Sequence, residues 1–183
     1  GVNSIGTILT GANLEGVDLR NSNLSGLDLT FTTLTDANMK NANLNGVDLR
    51  GSKLSDAYLP GANLANAIMS GATLTRADLS DASLSGADLS GADLTNANLA
   101  DTILTNVNLN DTNLTEVNLK GDSLLGADLT GANVKGATLS AADLTGVDLT
   151  GMDRTGMDLT QVNLLGADLT RVNLTDADLA DAN

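Results

Sequence analysis

Cysteine, histidine and tryptophan are absent from the 183-residue sequence, and proline, phenylalanine and tyrosine occur once each. Without cysteine or histidine the chain has no thiol chemistry, no disulfide, none of the usual zinc ligands and no ready general base near neutral pH. Its glycines are spaced by five residues rather than gathered at a helix start, unlike those of a phosphate-binding loop. We therefore expect no enzyme activity, no cofactor and no metal site.

Two other functional classes also lack their usual signals. The 9 basic residues do not gather into a patch and aromatic residues make up 1% of the chain, so we expect no direct binding of nucleic acid. No apolar run is long enough to span a membrane. The first residues, GVNSIGTILT, contain neither an initiator methionine nor a signal pattern, and we expect the sequence to be a piece of a longer polypeptide.

A five-residue repeat fills the sequence. The stretch 71–99 reads GATLTRADLSDASLSGADLSGADLTNANL, and Leu occupies 31 of the 36 central positions from Ser4 to Leu179. Ala or Val usually lies two residues before the central Leu. A period of five fits neither a helix nor a continuous strand, and an internal repeat of fixed period is typical of a solenoid.

The repeat contains one position that favours a turn. All 19 glycines lie two residues after the central position, and most other occupants of that position are Asn or Asp. These residues tolerate positive φ or hydrogen-bond to their own turn. The Ala or Val and the Leu, two residues apart, lie on the same side of an extended segment. We therefore predict short extended pieces joined by a corner every five residues and wound around a Leu-filled axis.

The A-(D/N)-L-x-x pattern resembles that of the pentapeptide-repeat family over essentially the whole chain. The resemblance implies an all-β fold, a right-handed quadrilateral parallel β-helix with four repeats to a coil, and hence about nine coils in a single domain over residues 1–183. The Leu-rich central position is similar to that of pentapeptide proteins and domains abundant in cyanobacteria. No capping element is visible at either end of the sequence, which leaves end-to-end self-association as a hypothesis.

The acidic residues are concentrated beyond residue 76. The first 76 residues hold six acids and five bases, whereas the rest holds 17 acids and four bases. On a 20-residue coil, Asp128, Asp148 and Asp168 stack in one column, with Asp88 further along it. We consider three interpretations: a solvated face that aids solubility, a mimic of the DNA phosphate backbone, or a row of calcium ligands, for which a flat ladder offers too few oxygens.

Five further residues stand out against the repeat. Ile103, Leu125 and Leu165 are apolar at outward positions and are candidates for a modest protein contact; the alternative is drift at tolerant surface positions. Asp122 and Arg154 put charges at inward positions, where an unpaired charge would cost several kcal/mol. Arg154 could escape through a bend of its coil or pair with a nearby carboxylate.

We predict a non-catalytic scaffold or protein-interaction rod with an unidentified protein partner. The alternative is a DNA-mimicking inhibitor of a type II topoisomerase, because some members of the family bind gyrase in place of DNA. Those members generally have interrupting loops, a C-terminal dimerisation helix and central Phe residues, which this chain lacks. A third hypothesis is ice binding through two columns of outward threonines: Thr75, Thr95 and Thr115 in one, and Thr130, Thr150 and Thr170 in the other.

Overall fold

The structure, a computed structural model, describes residues 9–149 and 159–183. Parallel β-bridges join residues that lie 20 apart, from the pair Asn13 and Thr33 to the pair Asp148 and Asp168. The described ranges contain no helix, and their strands are single bridge residues. None of the described residues therefore belongs to a helix long and apolar enough to cross a membrane. Four repeats make one coil, as the family resemblance implies.

The bridges define four faces along the rod. We number the faces in chain order by the first bridge residue of each column: face 1 starts at Asn13, face 2 at Asp18, face 3 at Asn23 and face 4 at Asp28. The outward residue two positions after each bridge residue belongs to the same face, and the next residue forms the corner. Each outward position therefore generates a column of side chains with a period of 20 residues.

Each corner is a tight turn closed by one backbone hydrogen bond. The N–H of Ala12 donates to the carbonyl of Leu9 over 2.9 Å, and the same bond recurs at every described corner as far as Ala182 and Leu179. The third residue of each turn has a φ between 55 and 75°, which is typical of a type II turn. Glycine adopts this conformation freely, and Phe31 adopts it too, with a φ of 57°, so the fold imposes the corner whatever residue occupies it.

Backbone hydrogen bonds join each coil to the next. The N–H of Leu14 donates to the carbonyl of Thr33 over 2.7 Å, and the N–H of Thr33 donates back to Ala12 over 2.9 Å. The corner adds a third bond, from the N–H of Gly16 to the carbonyl of Thr35 over 2.8 Å. Because each coil completes the hydrogen bonds of its neighbours, stability depends on contacts between successive coils.

The central residue of each repeat and the Ala or Val before it point into the rod. From Leu34 to Leu124 the central side chains are at most 1% exposed. Near the end of the described residues the inward side chains of Leu169 and Leu179 are 40% and 39% exposed. The core is thus a stack of leucines that is sealed in the middle of the rod and more open towards residue 183.

Candidate interaction surface

The outward Asp or Asn of each repeat accepts a hydrogen bond from the turn that follows it. The Oδ1 atom of Asp88 accepts the N–H of Ser90 over 3.0 Å, and that of Asp128 accepts the N–H of Thr130 over 2.9 Å. Asp and Asn supply this acceptor equally well, which explains why they alternate in the sequence. An Asn also donates to the coil before it, as Asn108 Nδ2 does to Asp88 Oδ1 over 3.0 Å.

Face 4 carries the predicted acidic column. Its bridges run in order through Asp88, Asn108, Asp128, Asp148 and Asp168. Asp88 is half-buried, whereas the last three carboxylates are exposed. At the usual separation of about 4.8 Å between hydrogen-bonded strands, neighbouring unit charges repel by about 1 kcal/mol in water. No Asn lies among those last three residues to donate from one coil to the next, so the stack is built entirely of like charges.

Face 3 carries the three predicted apolar residues. Ile103, Leu125 and Leu165 are 50%, 46% and 64% exposed. Leu125 and Leu165 occupy the same column two coils apart, and Ile103 bridges to Ser123, two residues before Leu125. The described outward residues of face 3 carry no side-chain charge apart from Asp143. Over this described part, face 3 therefore has one charged side chain, that of Asp143, and three exposed apolar side chains.

The acidic and apolar residues meet at the corner between faces 3 and 4. Leu125 and Asp128 flank Gly126, and Leu165 and Asp168 flank the equivalent glycine two coils later. Glycine contributes no side chain, and the space beside Gly166 is open, whereas the side chain of Asn106 lies against Gly126. We call this surface the acidic–apolar edge, formed by Leu125, Leu165, Asp128, Asp148 and Asp168.

In the first part of face 4, a stacked carboxylate is paired with an arginine. Asp28 and Asp48 are also bridged neighbours, but Arg50 on the same face donates from Nη2 to Asp48 Oδ2 over 2.6 Å and from Nε to Asp48 Oδ1 over 2.9 Å. These hydrogen bonds hold the pKa of Asp48 below its ordinary value. The backbone N–H of Thr30 does the same for the pKa of Asp28. This acidic pair is therefore neutralised in part on its own face.

Two other arginines also form ion pairs with aspartates. Arg20 and Asp18 form an ion pair of 2.6 Å on face 2, and hydrogen bonding by Arg20 lowers the pKa of Asp18 to about 2. Arg76 and Asp56 form an ion pair of 2.6 Å between neighbouring coils. These arginines are held by carboxylates of the early coils and do not face the acidic stack of the late coils.

Asp122 lies inside the rod, at a position where most repeats have Ala or Val. It is 1% exposed, and the N–H of Thr102, one coil earlier, donates to its Oδ1 atom over 2.9 Å. Burial raises the pKa of Asp122 to about 7, although the hydrogen bond from Thr102 acts in the opposite direction. The other inward charge noted in the sequence, Arg154, lies outside the described residues.

Threonine hydroxyls of the predicted column on face 1 form hydrogen bonds within that face. The hydroxyl of Thr95 donates to Asp93 Oδ1 over 2.6 Å, and the hydroxyl of Thr115 donates to Asn113 Oδ1 over 2.6 Å. Both belong to the predicted column on face 1, and Thr150 of the column on face 4 lies outside the described residues. The hydroxyls of Thr95 and Thr115 are thus already engaged as donors within the protein.

The carboxylates of face 4 stand in a row and do not converge. Within residues 9–149 and 159–183, no group of three or more acidic side chains is arranged to hold a metal ion. Calcium requires six to eight oxygens around one point. We accordingly develop no metal-binding hypothesis for this column.

The sequence alone did not reveal three features of this surface: the Asp–Arg pairs, the meeting of the two residue sets at one edge, and the partnership of Thr102 with Asp122. A signal for two of them was present. The sequence written in rows of twenty places Thr102 directly before Asp122 in one column. Arg20 and Arg50 likewise follow their carboxylates by two residues on one face.

Comparison with known proteins supports the family and the fold. The sequence profile of the Pentapeptide repeats family matches the chain in 8 copies, with matches over residues 1–26, 12–51, 42–81, 82–121, 123–153 and 155–183. No match was found among curated proteins.

Several solved structures are similar to this chain. HetL, a pentapeptide repeat protein involved in heterocyst differentiation regulation from the cyanobacterium Nostoc sp. strain PCC 7120, is 34% identical, with 97% of this chain and 86% of HetL covered and a TM-score of 0.42. A pentapeptide repeat protein of the Arabidopsis thaliana thylakoid lumen is 29% identical over 54% of this chain and 69% of its own, with a TM-score of 0.53.

A third structure extends the comparison of the fold. QnrB1, a plasmid-mediated fluoroquinolone resistance protein, is 23% identical over 94% of this chain and 89% of its own, with a TM-score of 0.57. At that identity the likeness concerns the fold alone. The predicted right-handed quadrilateral parallel β-helix is confirmed, and the predicted similarity to cyanobacterial pentapeptide proteins is confirmed by the match to HetL.

Proposed function

The chain belongs to the pentapeptide-repeat family, and from this premise we propose that it is a non-catalytic rod that binds a protein partner along the acidic–apolar edge. The observation that carries the proposal is the position of Leu125 and Leu165 beside the carboxylates of Asp128, Asp148 and Asp168. The rest of the rod serves as a rigid scaffold that holds these side chains in a fixed spacing.

The cost of the carboxylate stack supports a binding role. Like charges directly opposite each other on neighbouring strands are destabilising. In the middle coils of faces 1 and 2 the repeat avoids this cost by placing Asn next to Asp, as in the bonds from Asn98 to Asp78 and from Asn113 to Asp93. A run of three consecutive carboxylates gives up that stabilisation, which is reasonable if the exposed charge attracts a ligand.

The chemistry of the edge indicates a partner with both basic and apolar side chains. Three carboxylates in a row favour lysine or arginine, and two exposed leucines favour apolar contact at the same place. From Asp128 to Asp168 the edge spans about 10 Å, which is two coil spacings. An α-helix covers that length with about seven residues, so a basic amphipathic helix lying along the rod would fit.

A defined peptide tests the proposal without knowledge of the natural partner. The probe is an 18-residue helical peptide of Lys and Leu with one apolar face, and its dissociation constant is measured by fluorescence anisotropy at two salt concentrations. We expect binding to weaken at the higher salt concentration. Substitution of Asp128, Asp148 and Asp168 together by Asn should weaken binding at least tenfold at the lower salt concentration and reduce its salt dependence.

Two further variants separate charge from apolar contact. Leu125→Thr with Leu165→Thr, which copies a residue common in that column, should weaken binding and leave its salt dependence unchanged. The matched control replaces Asp78, Asp93 and Asp178 by Asn, which removes three charges from faces 1 and 2. Equal loss of affinity in the control and in the triple variant of the edge would refute a localised binding surface.

A second candidate is a DNA-mimicking inhibitor of a type II topoisomerase. The single observation in its favour is the stack of exposed carboxylates on face 4, since the likeness to QnrB1 contributes the fold alone. Inhibition of gyrase supercoiling that rises with protein concentration, and that disappears after Asp128→Lys, Asp148→Lys and Asp168→Lys, would support it. Absence of inhibition at micromolar protein would leave the peptide-binding rod as the better account.

Ice binding is not developed further, because the hydroxyls of Thr95 and Thr115 are engaged as donors within the face.

A further inference from the structure

Polar residues at inward positions normally satisfy their hydroxyl groups within their own turn. The hydroxyls of Ser22, Thr32, Ser52 and Thr112 each donate to the carbonyl of the central residue three positions earlier, over 2.5 to 2.7 Å. Thr102 occupies the same inward position but departs from this pattern. Among the described residues, the buried side-chain atoms without a hydrogen-bond partner are Thr102 Oγ1 and Asp122 Oδ2.

The backbone hydrogen bonds between coils are longest around Thr102 and Asp122. The bond from Leu99 N to Asn118 O is 3.1 Å and that from Leu104 N to Ser123 O is 3.2 Å. The equivalent bonds on either side, from Leu94 N to Asn113 O and from Leu109 N to Asp128 O, are 2.8 and 2.7 Å. The bond from Asn118 N to Ala97 O is also stretched, to 3.3 Å. Asp122 therefore lies where the hydrogen bonds between coils are weakest in this part of the rod.

We propose that Asp122 and Thr102 form a pH-sensitive joint, in which loss of the proton from the buried Asp122 carboxyl opens the coils between about residues 99 and 125. In the neutral form, the carboxyl lies in the Leu and Ala core without an uncompensated charge. In the ionised form, the Oδ1 atom accepts the N–H of Thr102, but Oδ2 has no hydrogen-bond partner and burial opposes the charge. Opening brings the charge into water, where it is better solvated.

The ionisable groups around Asp122 strengthen this response. Asp101, at a corner of the preceding coil, raises the pKa of Asp122 through its negative charge. Asp143 lies on the following coil, and its backbone N–H donates to the Asp122 carbonyl over 2.9 Å. Lys120 is two residues earlier on the same coil and is exposed to water. The negative charge of Asp101 therefore opposes the ionisation of Asp122.

The direction of the pH dependence follows from linkage. Burial raises the pKa of Asp122 to about 7 in the folded chain, whereas an exposed Asp has a pKa near 3.9. The stabilisation of the closed state is therefore complete below about pH 4 and is lost as the pH rises to about 7. The equilibrium constant for opening should rise on the order of tenfold per pH unit within that window, and it should stay constant above it.

Other carboxyl groups make the stability of the protein depend on pH in the opposite direction, but they do so in a different pH range. Where their pKa is shifted, Asp18, Asp28, Asp48 and Asp56 have lowered values. Their contribution to stability is present above the ordinary Asp pKa and is lost as the pH falls below it. The range from pH 4.5 to 8.5 therefore separates the effect of Asp122 from theirs.

The urea unfolding midpoint and amide hydrogen exchange, each measured from pH 4.5 to 8.5, test the joint. For the wild type we expect the midpoint to fall between pH 4.5 and 7 and then to stay constant. Over the same range the protection factors of peptides covering residues 99–125 should fall more than those of peptides covering residues 59–79. Asp122→Ala and Asp122→Asn should remove this slope and should be more stable than the wild type at pH 8.

Asp128→Asn is the matched control, because it removes an outward carboxyl six residues away and should keep the wild-type slope. If the wild type shows no slope, or if Asp122→Ala keeps it, the proposal is wrong. A direct titration of the Asp122 carboxyl carbon by NMR requires no variant, and an apparent pKa below 5 would also refute the joint. None of these measurements involves a binding partner, so they are independent of the proposed function.

Discussion

The same column of face 4 begins and ends with stacked carboxylates, but the two ends differ in their surroundings. Asp28 and Asp48 are half-buried, and Arg50 binds Asp48 through two nitrogen atoms. Asp128 and Asp168, near the other end, are exposed, and the described outward residues beside them on face 4 include no base. The early coils neutralise the acidic stack where it occurs, and the late coils present it to solvent.

The burial of the central leucines also varies along the rod. Leu84 in the middle of the rod is fully buried, whereas Leu14 and Leu19 near one described end are partly buried and Leu169 near the other is 40% exposed. The feature that distinguishes the early coils is therefore the pairing of their carboxylates with arginine, as in Asp48 and Arg50. The late coils combine a stack of like charges, exposed apolar groups and the buried Asp122. This contrast leads us to place partner binding in the late coils.

The largest effect on stability is expected from truncating a central leucine, and its size should differ between the middle and the late coils. Leu84→Ala should lower the free energy of unfolding by about 3 kcal/mol, because it removes a fully buried side chain and leaves a cavity. Leu169→Ala should cost only about 1 kcal/mol, since much of that side chain is already in contact with water. Urea denaturation of both variants at pH 6 checks the difference. Equal costs would show that the late coils are as tightly packed as the middle ones.

A smaller effect is expected when the early acidic stack loses its arginine. Arg50→Gln should lower the urea midpoint at pH 7 by a fraction of the shift caused by Leu84→Ala, because Asp28 and Asp48 would then repel each other without compensation. The lowered pKa of Asp48 means that this stabilisation is present above the ordinary Asp pKa and is lost as the pH falls through the lowered value. The difference between the variant and the wild type should therefore disappear in acid. Lys53→Gln on face 1 removes the same charge and serves as the control.

The smallest effect is expected from changing the pattern of Asn and Asp. Asp148→Asn should stabilise the rod by about 0.5 kcal/mol, since it removes a like-charge contact and allows an amide to donate to Asp128. Asn108→Asp should have the opposite effect, because it breaks the bond to Asp88 Oδ1. Thermal unfolding at low and moderate salt measures both, and the two shifts should diminish as salt screens the charges. Shifts of the same sign in the two variants would contradict this account.

Most of the fold could be predicted from the repeat. A five-residue period, leucine at the centre and glycine at one position require a corner in every repeat, and the turn at Leu9 to Ala12 recurs along the described chain. The length of the coil came from the resemblance to the family, because the period alone sets where corners occur and not how many make a full circuit.

The candidate surface could be predicted only in part. The columns containing Asp128 and Leu125 followed from the 20-residue coil, but their meeting at one edge required the positions of both residues around the same corner. The engagement of Asp48 by Arg50 depends on side-chain rotamers, which the repeat does not specify. The stretched backbone bonds beside Asp122 arise from local packing, and no sequence pattern indicates them.

An NMR titration of the isotope-labelled protein with the basic amphipathic peptide tests the central claim most directly, because it locates the binding surface without any substitution. We expect the largest amide shift changes along the acidic–apolar edge, in residues 123–130, 143–149 and 163–170, with smaller changes around Asp28 and Asp48. Changes concentrated on the early coils, or spread evenly over all four faces, would contradict the assignment of partner binding to this edge.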